Sequence, residues 1–144
     1  MSLFDAIDIS ASGLTANRTR MDVTAENLAN AQTTRGANGQ PYQRQEVVLQ
    51  QVGGFGAALA GAMSQTPAAG GVQVAGIVSD PTPDQLVYDP GNPDANSKGY
   101  VRMPNVNPVT EMVDMIDESR SYEANVTAMN TSKAMYQKTL DLLK

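Results

Sequence analysis

The chain has 144 residues, a net charge of −5, and no cysteine, histidine or tryptophan. Disulfide scaffolds, Cys/His zinc sites and histidine-based acid/base or triad chemistry are therefore excluded, which leaves an enzyme only carboxylate, lysine, tyrosine or hydroxyl groups. The acidic balance, without a Lys/Arg cluster, argues against nucleic-acid binding. Two phenylalanines and five tyrosines, set against twelve glycines and eight prolines, do not supply one aromatic-rich core.

From Ser2 to about Asn30 the residues fall into a heptad frame. Phe4, Ala11, Arg18 and Ala25 take one set of positions, and Ile7, Leu14, Met21 and Leu28 the other. Ser2 with Asp5 resembles a capping box, so the spacing predicts a helix from near the terminus. Gly13, Ser10, Ser12, Thr15 and Thr19 weaken it, and the expectation is a helix that orders fully only on pairing or assembly. Asn27 to Thr34 closes it with amides placed to satisfy free carbonyls.

Three or four short strands are predicted next: 43–52, 72–78 and a last one over 99–103, with 86–88 as a further apolar piece between them. A Gly/Ala-rich run, 53–71, reads as a flexible loop, with a short helix over 57–63 as the alternative. Asp80-Pro81-Thr82-Pro83 and the polar turn 89–96 separate the later strands.

Asn107 is a good N-cap and Pro108 suits the first helical position. An a/d series then runs through Met112, Met115, Ser119, Tyr122, Val126, Met129, Lys133, Tyr136, Leu140 and Leu143. At 1.5 Å per residue this helix is roughly 55 Å long and needs a partner. Ser119, Lys133 and Arg18, as polar seam positions, would set register and partner choice. Ile116, Met135 and Leu142 fall outside the seam and suit neighbouring subunits.

The fold class is thus α+β. Long N- and C-terminal helices (1–34 and 107–144) form a coiled-coil-like pair, a helical assembly domain, around a small central β-rich insert (35–106) that carries the flexible loop. Asp114, Asp117 and Glu118 could serve as a carboxylate or metal site, but a solvated face complementing the helix dipole accounts for them better. Asn92, Asp94 and Asn96 begin like a calcium loop, yet Ser97 stands in place of the turn glycine and Met103 in place of the bidentate Glu. Three glycosylation sequons, at Asn17, Asn125 and Asn130, lie in predicted helices and read as chance. No catalytic residue, cofactor or metal site is expected, and the chain reads as an assembly protein.

Asn27-Leu28-Ala29-Asn30-Ala31-Gln32-Thr33 after a heptad helix resembles the N-terminal motif of bacterial flagellar rod and hook axial proteins, and Tyr122-Glu123-Ala124-Asn125-Val126 resembles their C-terminal motif. Leu86 to Pro90, Pro93 to Asn96 with Gly99 to Val101, and Pro104 to Ile116 narrow the likeness to a proximal rod subunit, which the short length also fits. The resemblance implies a non-enzymatic subunit of the basal-body rod, needed for motility, that transmits motor torque. It implies partners among the other rod proteins and the adaptor joining the rod to the export gate, in a homo- and hetero-oligomeric helical tube. Within that tube the assembly interface is expected to use Phe4, Ile7, Leu14, Met21, Leu28, Met112, Met115, Ile116, Tyr122, Val126, Met129, Tyr136, Leu140 and Leu143, with Asn27, Asn30, Tyr122, Glu123 and Asn125 as motif residues.

Met1 to Asp5 lack the basic and apolar regions of a cleaved signal, and no run of about eighteen apolar residues spans a membrane. Taken alone this suggests a cytoplasmic chain. The resemblance implies instead a periplasmic rod subunit that leaves through the flagellar type III apparatus without a cleaved signal.

Overall fold

The computed structural model describes residues 3–36, 38–52 and 70–142. The elements run α1 (Leu3–Ala29), β1 (Gln45–Gln51), β2 (Val72–Ser79), β3 (Gln85–Tyr88), β4 (Tyr100–Met103) and α2 (Pro108–Asp141). The α+β class and the helix, strand, helix order are as the sequence predicts, and the apolar piece 86–88 is a strand, which makes four among the described residues. The flexible loop and its helical alternative lie, over 53–69, outside the described residues.

The α2 start is built as its sequence indicates. Val109 N donates to Asn107 Oδ1 at 3.0 Å, and Glu111 N donates to Asn107 O at 3.1 Å, so cap and first turn close together. α1 manages its hydroxyls internally. Ser10, Thr15 and Thr19 donate to the carbonyls of Ala6, Ala11 and Thr15 at 2.8, 3.1 and 3.1 Å, the back-bonding that lets such side chains sit inside a helix. At its end Asn30 Nδ2 donates to Glu26 O at 2.9 Å, as expected of the terminal amides.

The strands form two separate two-stranded sheets rather than one: β1 with β2, and β3 with β4. Val52 N donates to Gly71 O at one end of the first and Asp80 N to Arg44 O at the other, the pattern of antiparallel strands. β3 and β4 pair antiparallel, Gln85 opposite Met103 through Tyr88 opposite Tyr100. Two-stranded sheets are marginal alone and depend on what covers them.

The chain divides into two compact units. The first holds residues 1–19, 48–76 and 118–144. In it Val72 N donates to Ser12 Oγ at 3.1 Å, and α1 meets α2 at Gly13, where an added Cβ would stand 3.0 Å from Asn125 Nδ2. The glycine that lowers helix propensity thus sits where α1 and α2 approach closely. The second unit holds residues 20–47 and 77–117, and most of the apolar core: Val23, Ala31, Val101 and Val106.

The buried stripe of α2 differs from the predicted frame. Glu111, Glu118 and Ser132 are buried and Asn125 half-buried, a seven-residue spacing one position ahead of Met112, Ser119, Val126 and Lys133. Met115, Tyr122, Val126 and Met129 are half-buried, whereas Ser119 and Lys133 are exposed and hold no seam position within the chain. On α1 the same spacing buries Ser10, Asn17 and Thr24, and Arg18 is exposed. A frame drawn through the largest apolar residues assumes that they are the buried ones. Here small and polar residues occupy the close approaches.

Candidate assembly interface

The most enclosed polar residue of the N-terminal motif is Asn27, 1% exposed. Its Nδ2 donates to Gln45 O at 2.9 Å and to Glu111 Oε2 at 3.0 Å. Its Oδ1 accepts from Gln45 N and from the Tyr42 hydroxyl, both at 2.9 Å. All four bonding sites of the amide are filled, and the residue joins α1, β1 and α2.

Glu111, also 1% exposed, is the second centre. Arg44 Nε donates to its Oε1 at 2.6 Å, and this bond, with the Glu111 charge, raises the guanidinium above its usual range against the opposing effect of burial. Arg44 also reaches Asp114 at 3.5 Å and Asp80 at 3.9 Å. Its backbone N donates to Asn105 Oδ1 at 2.8 Å, and Asn105 Nδ2 holds Thr82 O at 3.2 Å. Asp80 is lowered by its bonds from the Thr82 hydroxyl and N–H, with a smaller contribution from Arg44. These groups form a structural clamp.

The Tyr42 hydroxyl is pushed up from 10.0 to about 12 by burial and then by the charges of Glu26 and Glu111. A raised folded value means that the stability it contributes is fully present below pH 10.0 and is lost as the pH rises from there to about 12. Tyr42→Phe is expected to cost about 1 kcal/mol near neutrality. In chemical denaturation it should flatten the decline of stability over that alkaline window relative to the parent. Parallel declines for the two proteins would contradict the assignment.

Of the clamp residues the motif includes Asn27, while Tyr42, Arg44 and Gln45 lie outside it. Glu111 lies in the first turn of α2, where an acidic side chain complements the helix dipole, and it is buried against Arg44. Of the candidate carboxylates only Asp117 is exposed as a solvated face requires. Glu118 is buried and Asp114 meets Arg44. Asn92 Oδ1 accepts from Asp94 N at 3.0 Å, Asn96 Oδ1 from Lys98 N and Tyr100 N, and Asp94 from Thr34, so these oxygens brace a turn. Among the described residues no group of three or more acidic side chains is placed to hold a metal ion.

The expected interface residues divide by exposure. Ile7, Leu14, Met21 and Leu28 on α1 are half-buried, like Met115, Tyr122, Val126 and Met129 on α2. Met112, Ile116, Tyr136 and Leu140 are exposed. Of the motif residues, Asn125 lies against Gly13, Asn30 caps the end of α1 and Glu123 is exposed. The Phe4 side chain and Leu143 lie outside the described residues. Among those described, eighteen large apolar side chains are exposed while five apolar residues are buried. Scattered exposed apolar residues are ordinary, but contiguous sets mark contact surfaces. One such set is Val109, Met112, Val113 and Ile116, at i, i+3, i+4 and i+7 on α2. No helix among the described residues is long and apolar enough to cross a membrane.

Residues 7–37 match the family model of the flagella basal body rod protein, and residues 97–142 that of the flagellar basal body rod FlgEFG protein C-terminal region. The chain is 51% identical over 150 residues to the flagellar basal-body rod protein FlgC of Bacillus subtilis, covering 100% of both chains. It is 49% identical to FlgC of Yersinia enterocolitica, over 99% of this chain and 98% of that one. The FlgC protein of Borreliella burgdorferi is 42% identical, over 100% of this chain and 99% of its own.

Proposed function

Because the chain belongs to the flagellar basal-body rod protein family, we propose that it is built into the rod through its two terminal helices. It is a structural subunit of the flagellar basal-body rod, not an enzyme, and it serves motility. The observation that carries the assembly reading is the excess of exposed over buried large apolar side chains among the described residues, including the contiguous set Val109, Met112, Val113 and Ile116 on α2.

In this reading residues 1–34 and 107–144 form the helical assembly domain and 35–106 the β-rich part. The contacts of Gly13 with Asn125 and of Asn27 with Glu111 support an antiparallel sense for the helices. The interface uses the side chains named above from Phe4 to Leu143, the half-buried ones setting the helix pair and the exposed ones meeting neighbours. Other rod and basal-body proteins are the partners, among them the adaptor that joins the rod to the export gate. The subunit crosses the flagellar type III apparatus without a cleaved signal, its terminal helices complete their ordering on earlier subunits, and the product is a periplasmic rod.

Leu28→Asp and Tyr122→Asp test this reading. Each places a charge at a half-buried helix position and is expected to abolish swimming and rod completion while the chain is still exported. Normal swimming by either variant would sink the reading.

A further inference from the structure

Ten asparagines are spread along the chain, and they differ in how readily the side-chain amide can be lost. Loss begins when the backbone nitrogen of the next residue attacks the asparagine Cγ, so the residue that follows governs much of the rate. A follower without a Cβ leaves that attack unhindered, and Asn38-Gly39 is the one Asn-Gly pair in the sequence. Asn92 and Asn107 precede proline, which has no N–H. Asn17, Asn27, Asn125 and Asn130 lie within α1 and α2, where the following N–H is held in a helix bond. Asn30 is occupied with Glu26 O, and Asn105 with Arg44 N and Thr82 O, ahead of buried Val106.

The geometry around Asn38 favours the same residue. Asn38 and Gly39 are both exposed, in a turn closed by Gly36 N donating to Gln40 O at 2.8 Å and Gly39 N to Gly36 O at 2.9 Å. Gly39 has a φ of +76°, and a Cβ built on it would meet no heavy atom within 4 Å, so a ring forming at this peptide bond enters open space. Asn38 Oδ1 accepts from Gln40 N at 3.3 Å, a long bond that holds the amide loosely. The same donor faces the oxygen on which negative charge grows as Cγ becomes tetrahedral. Gly39 N–H must first leave Gly36 O, a local opening that costs little in an exposed turn. Asn96 is the nearest rival, being exposed and followed by exposed Ser97. Its Oδ1, however, is fixed by Lys98 N and Tyr100 N at 2.9 and 3.0 Å, and Ser97 carries a side chain.

We propose that Asn38 of the folded chain deamidates spontaneously through Gly39, which makes this turn a slow modification site. The Gly39 nitrogen gives its lone pair to Asn38 Cγ and its proton to solvent, the Cγ–Nδ2 bond breaks, and ammonia departs with a proton taken from water. Water then opens the succinimide at either carbonyl, leaving isoaspartate or aspartate. Nothing is oxidised or reduced. Either product adds a carboxylate, and isoaspartate also puts one more carbon into the main chain between Gly36 and Gln40. The bonds that close the turn then fall out of register, in the segment leading to Tyr42 and its contact with Asn27. The reaction needs only one chain and does not depend on the rod reading.

The test is to keep the purified full-length chain in mildly alkaline buffer made with heavy-oxygen water, then to digest it and follow each asparagine peptide by mass spectrometry. An isoaspartyl methyltransferase identifies the isoaspartate product, and Asn38→Asp supplies the aspartate standard. The Asn38 peptide is expected to convert ahead of the Asn96 peptide, to carry one solvent oxygen, and to hold more isoaspartate than aspartate. Gly39→Ala should slow the conversion severalfold, with circular dichroism confirming that the variant folds. Conversion of Asn96 before Asn38, aspartate without isoaspartate, or an intact Asn38 in the folded chain alongside conversion in denaturant would each overturn the proposal. The parent chain alone decides these three outcomes, whatever the fold of the variant.

Discussion

Arg44→Met is expected to destabilise the folded chain by about 3–5 kcal/mol, because Glu111 would then keep a buried charge without its cation. Against a typical total of about 5–15 kcal/mol this is a large share, and for a chain of this size it lowers the melting temperature by about 10 °C or more. The cost lies in the 2.6 Å bond to a carboxylate that is 1% exposed, not in the looser pairs. Asp114 and Asp80 meet the guanidinium at 3.5 and 3.9 Å and keep partial access to water, so Asp114→Ala should shift stability by less than about 1 kcal/mol. Adding Glu111→Leu to Arg44→Met removes the stranded charge and should recover much of the loss. Circular dichroism during thermal and denaturant unfolding measures all three. A loss below about 1 kcal/mol for Arg44→Met, or no recovery in the double variant, would contradict the clamp.

Val113→Asp should have the reverse profile. The side chain is 52% exposed in the single chain, and surface changes of this kind usually stay within about 0.5 kcal/mol. Once a neighbour covers the stripe, the same carboxylate is desolvated without a partner, at a cost of several kcal/mol per copy. Unchanged unfolding with complete loss of swimming and of finished rods is therefore expected. A marked fall in single-chain stability would place Val113 in the chain's own packing, and ordinary swimming would leave the stripe without a role in assembly.

The elements were legible because their punctuation is local. Asn107 and Pro108 mark the start of α2, and the observed strands begin and end within two residues of the apolar runs that predict them. The register of the helices was not legible in the same way. Hydrophobic periodicity finds the wettest and driest faces only when the dry face is the buried one. In α2 the exposed face carries Val109, Met112, Val113 and Ile116, while Glu111 and Glu118 are enclosed, so the pattern points outward. A signal was nonetheless present: Ser10, Asn17 and Thr24 on α1, like Glu111, Glu118, Asn125 and Ser132 on α2, recur every seven residues. Two polar heptads in helices that also carry apolar ones suggest that the polar stripe faces inward and the apolar one serves partners. The clamp was less accessible, since Asn27, Arg44 and Glu111 are distant in sequence and none belongs to a short motif that predicts the others.

The small, polar residues buried along α1 and α2 also govern what happens when the helices part. Opening them would wet hydroxyls, amides and carboxylates, which water hydrates readily, alongside half-buried hydrocarbon such as Leu14 and Val126. Ser10 and Ser132 would keep their bonds to the carbonyls of Ala6 and Ala128 in their own helices while their hydroxyls became wet. Parting the helices therefore adds less adhesive area than a seam buried through its largest apolar residues would.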